Sequence, residues 1–377
     1  MTATQNLINA IHKNNIDDVL TALKNGADVN GYDGYQSILD TAIQNDNPKV
    51  VSLLLEKGKN KIYQSSLEKG LFNTFKNNKN SRKIAQIISE NMNDASASSQ
   101  YNPTYVWACI QLDWPEVLDT VLKKNASLSE KDHFGHNPLH ETITLNRIKC
   151  AKVLCNYIQD IDEFSGQHNA SQWAARMGRT EILEHLIDKG SNINLSQSTL
   201  LDDIKVLLFF STGCLYTPKL SNQNKVIHWA ARSNEPKVID MLMHKCPERV
   251  SLDQPGEDDK TPLIQALEAQ SFATLKRLLE YGADPNAMDK IGTVLHAAVR
   301  LNNSDVFNLL FEYGVDQRLK GPCGKTALEY ARYLEDNHFD NYSYCIEKLE
   351  KAWKQGSSIA KGKPYYRPKG HGRSERE

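Results

Sequence analysis

The chain has 377 residues, with 45 basic side chains against 46 acidic ones, so nothing in its global charge asks for nucleic acid or an anionic membrane. Apolar residues make up 40%, and the densest apolar run, residues 206–210, is far too short to span a bilayer. Seven cysteines, an odd number with no CxxC pair, argue against a disulfide framework and suit a reducing compartment.

In chain order, a short helix start recurs. It reads QNLINA at residues 5–10, SILDTA at 37–42, TYVWAC at 104–109 and NPLH at 137–140. It continues as NASQWAA at 169–175, KVIHWAA at 225–231, TPLI at 261–264, TVLHAA at 293–298 and TALE at 326–329. The last three steps are 36, 32 and 33 residues, the period of one compact helical unit stacked on its neighbour. In the best preserved unit, Asn137 is placed to cap a helix and Pro138 to open it, where a missing N–H costs nothing. Leu139, Thr142 and Ile143 face inward, and Ile148, Ala151, Val153 and Leu154 carry a second helix. Units close as LKNGADVN at 23–30 and LLEYGADPN at 278–286, with Gly26 and Gly282 placed as left-handed helix C-caps.

Together, the TPLHxAA-like start, the hydrophobic second helix, the GAD-x-N ending and the 33-residue period resemble ankyrin repeats. The resemblance implies an all-α solenoid of stacked helix-turn-helix units joined by β-hairpin-like loops. Residues 1–194 then hold about six units, the one at 60–95 degenerate. Residues 195–222 break the spacing, with 56 residues from Asn169 to Lys225, and read as a compressed repeat or an insertion where a hinge belongs. Residues 223–355 resume the repeats and end in a charged capping helix, and 356–377 form a basic tail expected to be disordered.

No catalytic chemistry stands out. The set His133, His136, His140 and Glu141 is the densest group of metal-type donors, but His140 has a structural role as the motif histidine and HExxH is absent. GxxxxGK[ST], GxSxG and a GxGxxG after a strand are missing, so neither an enzyme nor a cofactor is expected. Trp173 and Trp229 follow the motif-histidine position and read as braces between units.

The resemblance implies a protein partner held in the groove of hairpin tips and first helices. Its variable slots fall on His133, Phe134, His136, Thr144 and Leu145, then on His168, Arg176 and Met177. Asn222, Asn224 and Arg232 follow, then Asp289, Lys290, Arg300 and Leu301, and finally Cys323, Lys325 and Tyr333. Arg176, Arg232 and Arg300 share one slot and favour an acidic or phosphorylated partner, with bracing of a neighbouring carboxylate as the alternative. Loop asparagines Asn30 and Asn286 resemble ankyrin substrates of an animal asparaginyl hydroxylase.

Abundant Asn, Lys and Ile and the worn units are similar to ankyrin effectors of intracellular bacteria of the Legionella and Coxiella type. That similarity implies type IV secretion into a host cell, the rivals being a non-secreted cytosolic adaptor and an enzyme or modifier with an unrecognised active site. The first residues show no basic-then-apolar leader, so a cytoplasmic monomer is expected, or one exported without a cleaved signal peptide.

Overall fold

The computed structural model describes residues 2–58, 62–75, 81–96, 104–196, 223–337 and 341–354. It divides into two compact units, residues 1–159 and 160–377. In the first, helices come in packed pairs: α1 (Ala3–His12) with α2 (Ile16–Lys24), α3 (Ile38–Gln44) with α4 (Pro48–Lys57), and α5 (Gln64–Thr74) with α6 (Ser81–Asn91). The pairs α7 (Tyr105–Leu112) with α8 (Pro115–Lys123) and α9 (Pro138–Thr144) with α10 (Ile148–Leu154) follow. The motif-poor stretch around 67–91 is therefore a helix pair like its neighbours.

The second unit pairs α11 (Ala170–Arg176) with α12 (Thr180–Asp188), α13 (Val226–Arg232) with α14 (Pro236–Lys245), and α15 (Pro262–Glu268) with α16 (Phe272–Glu280). It continues with α17 (Val294–Arg300) and α18 (Ser304–Glu312), then α19 (Ala327–Asn337) and α20 (Ser343–Lys354). The only named strands among the described residues, β1 (Tyr32–Asp33) and β2 (Gln36–Ser37), make an antiparallel hairpin with Tyr32 opposite Ser37.

Local chemistry explains these short helices. Asn137 Oδ1 accepts the His140 N–H at 3.1 Å, and Asn169 does the same for Gln172 at 2.9 Å, satisfying donors that a helix start leaves orphaned. Seven of the ten pairs turn on one left-handed non-glycine residue, Asn14, Asp46, Asp113, Asn146, Asn234, Gln270 or Asn302, and α11–α12 turns on Gly178 at φ +68°. Asn and Asp tolerate that backbone because their short side chains bond locally. Gly282, at φ +94°, ends α16 in the same left-handed region, as its C-cap position requires.

Packing then runs in file. Within the second unit α11 packs on α13, α13 on α15, α15 on α17 and α17 on α19. The paired alanines Ala174–Ala175, Ala230–Ala231 and Ala297–Ala298 are all buried, and their small size lets neighbouring helices approach closely. Leucines and isoleucines of both helix rows fill the spine, each fully buried one contributing about 1.5–3 kcal/mol.

The loops carry a second periodic bond. Asp162 accepts the Asn192 N–H at 2.9 Å, Asp253 that of Asp284 at 2.8 Å, and Asn286 that of Asp316 at 2.6 Å. In the first unit Asn30 accepts from Tyr63 N–H at 3.3 Å.

The irregular step before Lys225 has a specific form. Val226 N–H donates to the Ile193 carbonyl at 3.2 Å, the counterpart of Ile38 to Gly31 and Val294 to Ala287 in regular hairpins. Since α11 also packs directly on α13, the helices flanking the interval are immediate neighbours. Residues 197–222, holding most of the segment read as a compressed repeat, lie outside the described residues, as does the tail from 355.

Candidate partner-binding surface

The motif histidines organise the loops beneath the candidate surface. His296 Nε2 donates to the Lys325 carbonyl at 3.0 Å, and its Nδ1 accepts from Thr293 N–H at 3.2 Å. His228 repeats this with Gln254 O at 2.9 Å and Lys225 N–H at 3.1 Å. A carbonyl can only accept and an N–H only donate, so both rings must be neutral and protonated on Nε2. Burial accordingly pushes the His228 pKa down to about 4, Lys225 adding to the drop against the raising effect of the Gln254 bond. Burial likewise lowers His296. His140 uses the other nitrogen: Nδ1 donates to Asn137 Oδ1 at 2.9 Å.

Around that last ring, His136 stacks on His140 with centroids 5.6 Å apart, while His133 lies against Phe134 at 3.9 Å. Glu141 is raised by burial and by Asp132. Among the described residues, no group of three or more His, Cys, Asp or Glu converges as a metal site. The cysteines offer no activated nucleophile at Cys150 either: burial first, then Asp113, pushes its thiol up to about 12.

The expected partner slots fall into two groups. Phe134, Leu145, Tyr333 and His133 are exposed, as are Arg176, Arg232 and Lys290. His136, Met177, Leu301, Lys325 and Arg300 are half-buried. By contrast, His168, Asn224 and Asp289 are buried. Asn224 Oδ1 accepts from Gln265 Nε2 at 2.5 Å and from Glu257 N–H, and Asp289 closes its own loop by accepting from Ile291 and Gly292 N–H at 2.8 Å. Those three side chains hold the fold, because a buried polar group must spend its bonding capacity internally. Asn222 lies outside the described residues. Asn30 and Asn286 are half-buried and belong to the loop ladder.

The three slot arginines do not behave alike. Arg176 Cζ sits 5.7 Å from the Trp173 ring centroid and 5.2 Å from that of Trp229, and Arg232 Cζ sits 5.4 Å from Trp229. His168 completes the cluster, its ring 4.4 Å from Trp229 edge-on and its Nε2 3.4 Å from Arg176 Nη1. Trp229 is buried, and its indole N–H finds no acceptor among the described residues. Trp229 thus braces α11 against α13, as a brace between units should. Arg300 instead binds Glu268, whose second oxygen takes Lys260 Nζ at 2.9 Å.

Sequence reading missed Glu268. It stands seven residues after Thr261, the offset at which Arg300 follows Thr293, so the slot runs Arg, Arg, Glu, Arg through successive units. That signal was available from spacing alone. Lys325, finally, lies 5.1 Å over the Tyr333 ring.

Exposed large apolar side chains are unevenly distributed. Tyr32, Tyr35, Tyr63, Phe134, Met288 and Ile291 lie in hairpins and loops, and Leu112, Leu145 and Tyr333 on first helices or their ends. Tyr344 and Trp353 belong to the terminal helix α20; among the described residues, no other second helix exposes one.

Comparison with known proteins bears on these repeats. Residues 106–197 and 198–289 match the family profile described as ankyrin repeats (3 copies). Mouse ankyrin repeat and SOCS box protein 11 is 35% identical over 105 residues, 28% of this chain and 32% of that protein. Human ankyrin repeat and SOCS box protein 6 is 27% identical over 176 residues, 45% of this chain and 36% of that protein. The chain thus spans 32–36% of the length of these curated relatives. The crystal structure of the human ASB11 ankyrin repeat domain superposes with a TM-score of 0.50 at 20% identity, covering 66% of this chain and 97% of that one.

Proposed function

From a fold built of stacked ankyrin repeats, we propose that this protein is a non-enzymatic interaction scaffold that holds a protein partner along its hairpins and first helices. One observation carries the reading: exposed aromatic and aliphatic side chains collect on that row, while the second helices before α20 show none among the described residues. Rigid, partly exposed aromatics with polar neighbours are the material of interaction hot spots. The buried motif histidines and the loop ladder keep those side chains on a fixed frame, which lowers the ordering cost of binding.

Photo-crosslinking tests this. With benzoylphenylalanine at Phe134 or Tyr333, covalent adducts to a captured partner are expected; at Glu181 or Lys276 on second helices, none. Adducts formed equally from all four positions would remove the assignment.

Within this reading, delivery into a host cell as a bacterial effector is supported by composition and by the worn units, whereas the matched ankyrin and SOCS box proteins come from mouse, human and Pongo abelii. A translocation assay with and without residues 356–377 separates an exported effector from a resident adaptor. No helix among the described residues is long and apolar enough to cross a membrane.

A further inference from the structure

We propose that Arg176 and Arg232, ordered on the Trp173 and Trp229 rings, form a receptor for the phosphate dianion of a phosphoserine or phosphothreonine in the bound partner. The proposal rests on the scaffold reading and names the chemistry that one part of the surface recognises. Three features carry it.

First, two exposed arginines converge on one ring, each Cζ within 5.4 Å of the Trp229 centroid. Second, among the described residues neither forms an ion pair with a carboxylate, whereas Arg300 in the same slot binds Glu268. Two like charges held together without a counter-ion are mutually unfavourable, and burial first and then Arg232 lower the Arg176 pKa accordingly. A bound dianion removes that repulsion; a single carboxylate would offset only half of the charge.

Third, both guanidiniums are held over aromatic rings. Each carries five N–H donors in a rigid fork that matches phosphate oxygens bidentately. Arg176 directs one nitrogen towards His168 Nε2, leaving most of its donors available. An ammonium in the same place would supply charge without the fork or the stacking.

The site is small, a pair of cations rather than a basic stripe. Nucleic acid is bound chiefly through many spaced phosphates, and the balanced charge of the chain provides no such track. A single phosphorylated side chain within a peptide fits the dimensions and the charge.

The full chain is presented with three immobilised degenerate peptide libraries identical but for a fixed central phosphoserine, aspartate or serine. Retention on the phosphoserine library is expected to exceed that on serine by about a hundredfold, each of the two guanidinium–phosphate forks corresponding to roughly tenfold, and that on aspartate by about tenfold. Arg176→Gln and Arg232→Gln should each cost about tenfold, Arg176→Lys nearly as much, and Arg300→Gln should change nothing. Circular dichroism and tryptophan emission confirm that each variant is folded, and the exposed arginines can be replaced without opening the core. Equal retention on phosphoserine and serine libraries would overturn the proposal. So would equal losses from Arg300→Gln and Arg176→Gln, or preferential retention on a single-stranded RNA 20-mer. Crosslinking from Phe134 and Tyr333 involves neither arginine, so the scaffold reading and the phosphate site fail independently.

Discussion

Arg176 and Arg232 occupy the same position of the repeat as Arg300, yet the two places have opposite electrostatics. Three residues before Arg176 and Arg232 stands a tryptophan; three before Arg300 stands Ala297. With an indole available, the guanidiniums lie on aromatic rings and keep their charge exposed. With only a methyl group there, Arg300 extends to Glu268, which Lys260 also binds. One slot thus makes either an anion receptor or a neutralised clamp. The preceding layer differs as well: its equivalent slot holds Arg176 before Arg232 and Glu268 before Arg300.

Removing the platform breaks the contrast most severely. Trp229→Ala deletes a buried ring between α11 and α13, and should cost about 3–5 kcal/mol in urea unfolding while both arginines lose their order. A loss below 1 kcal/mol would mean the ring is not a brace.

Next in size is a proton effect that belongs to the frame. His228 has a folded pKa of about 4 against the ordinary 6.5, so between those values the unfolded chain binds the proton and the native one does not. Its contribution is complete above pH 6.5 and is lost progressively as pH falls towards 4, amounting to about 3 kcal/mol. Unfolding midpoints measured from pH 7.5 to 4 should show this slope, and His228→Gln should flatten it.

Glu268→Gln sharpens the comparison. It should cost about 1 kcal/mol, since the pair is only partly buried, and leave Arg300 without its counter-charge. Lys290→Ala is the smallest change: its 3.5 Å contact to Asp258 joins two exposed side chains, so the unfolding midpoint should not move measurably.

Much of the architecture was legible from spacing. Caps at Asn137 and Asn169, the left-handed Gly282, and apolar positions at helical period each follow from local physics that acts within a few residues. The stretch at 64–91 shows that helix pairing survives the loss of the motif, because buried apolar faces matter more than the cap residues. At the candidate surface, the slots that the ankyrin resemblance implied put Phe134, Arg176, Arg232 and Tyr333 where they are exposed. The resemblance equally placed His168, Asn224 and Asp289 in variable slots, although their side chains are buried in the frame.

The sequence alone determined the repeat, its period and the direction in which each side chain leaves its helix, since these depend on contacts between residues close along the chain. Only the tertiary structure decided which charges are paired. Arg300 and Glu268 are 32 residues apart and Arg176 and Trp229 more than fifty, separations that stacking closes to bonding distance. Coulombic and aromatic contacts fall off over a few ångströms, so a position in the repeat acquires its electrostatic character from the neighbouring layer.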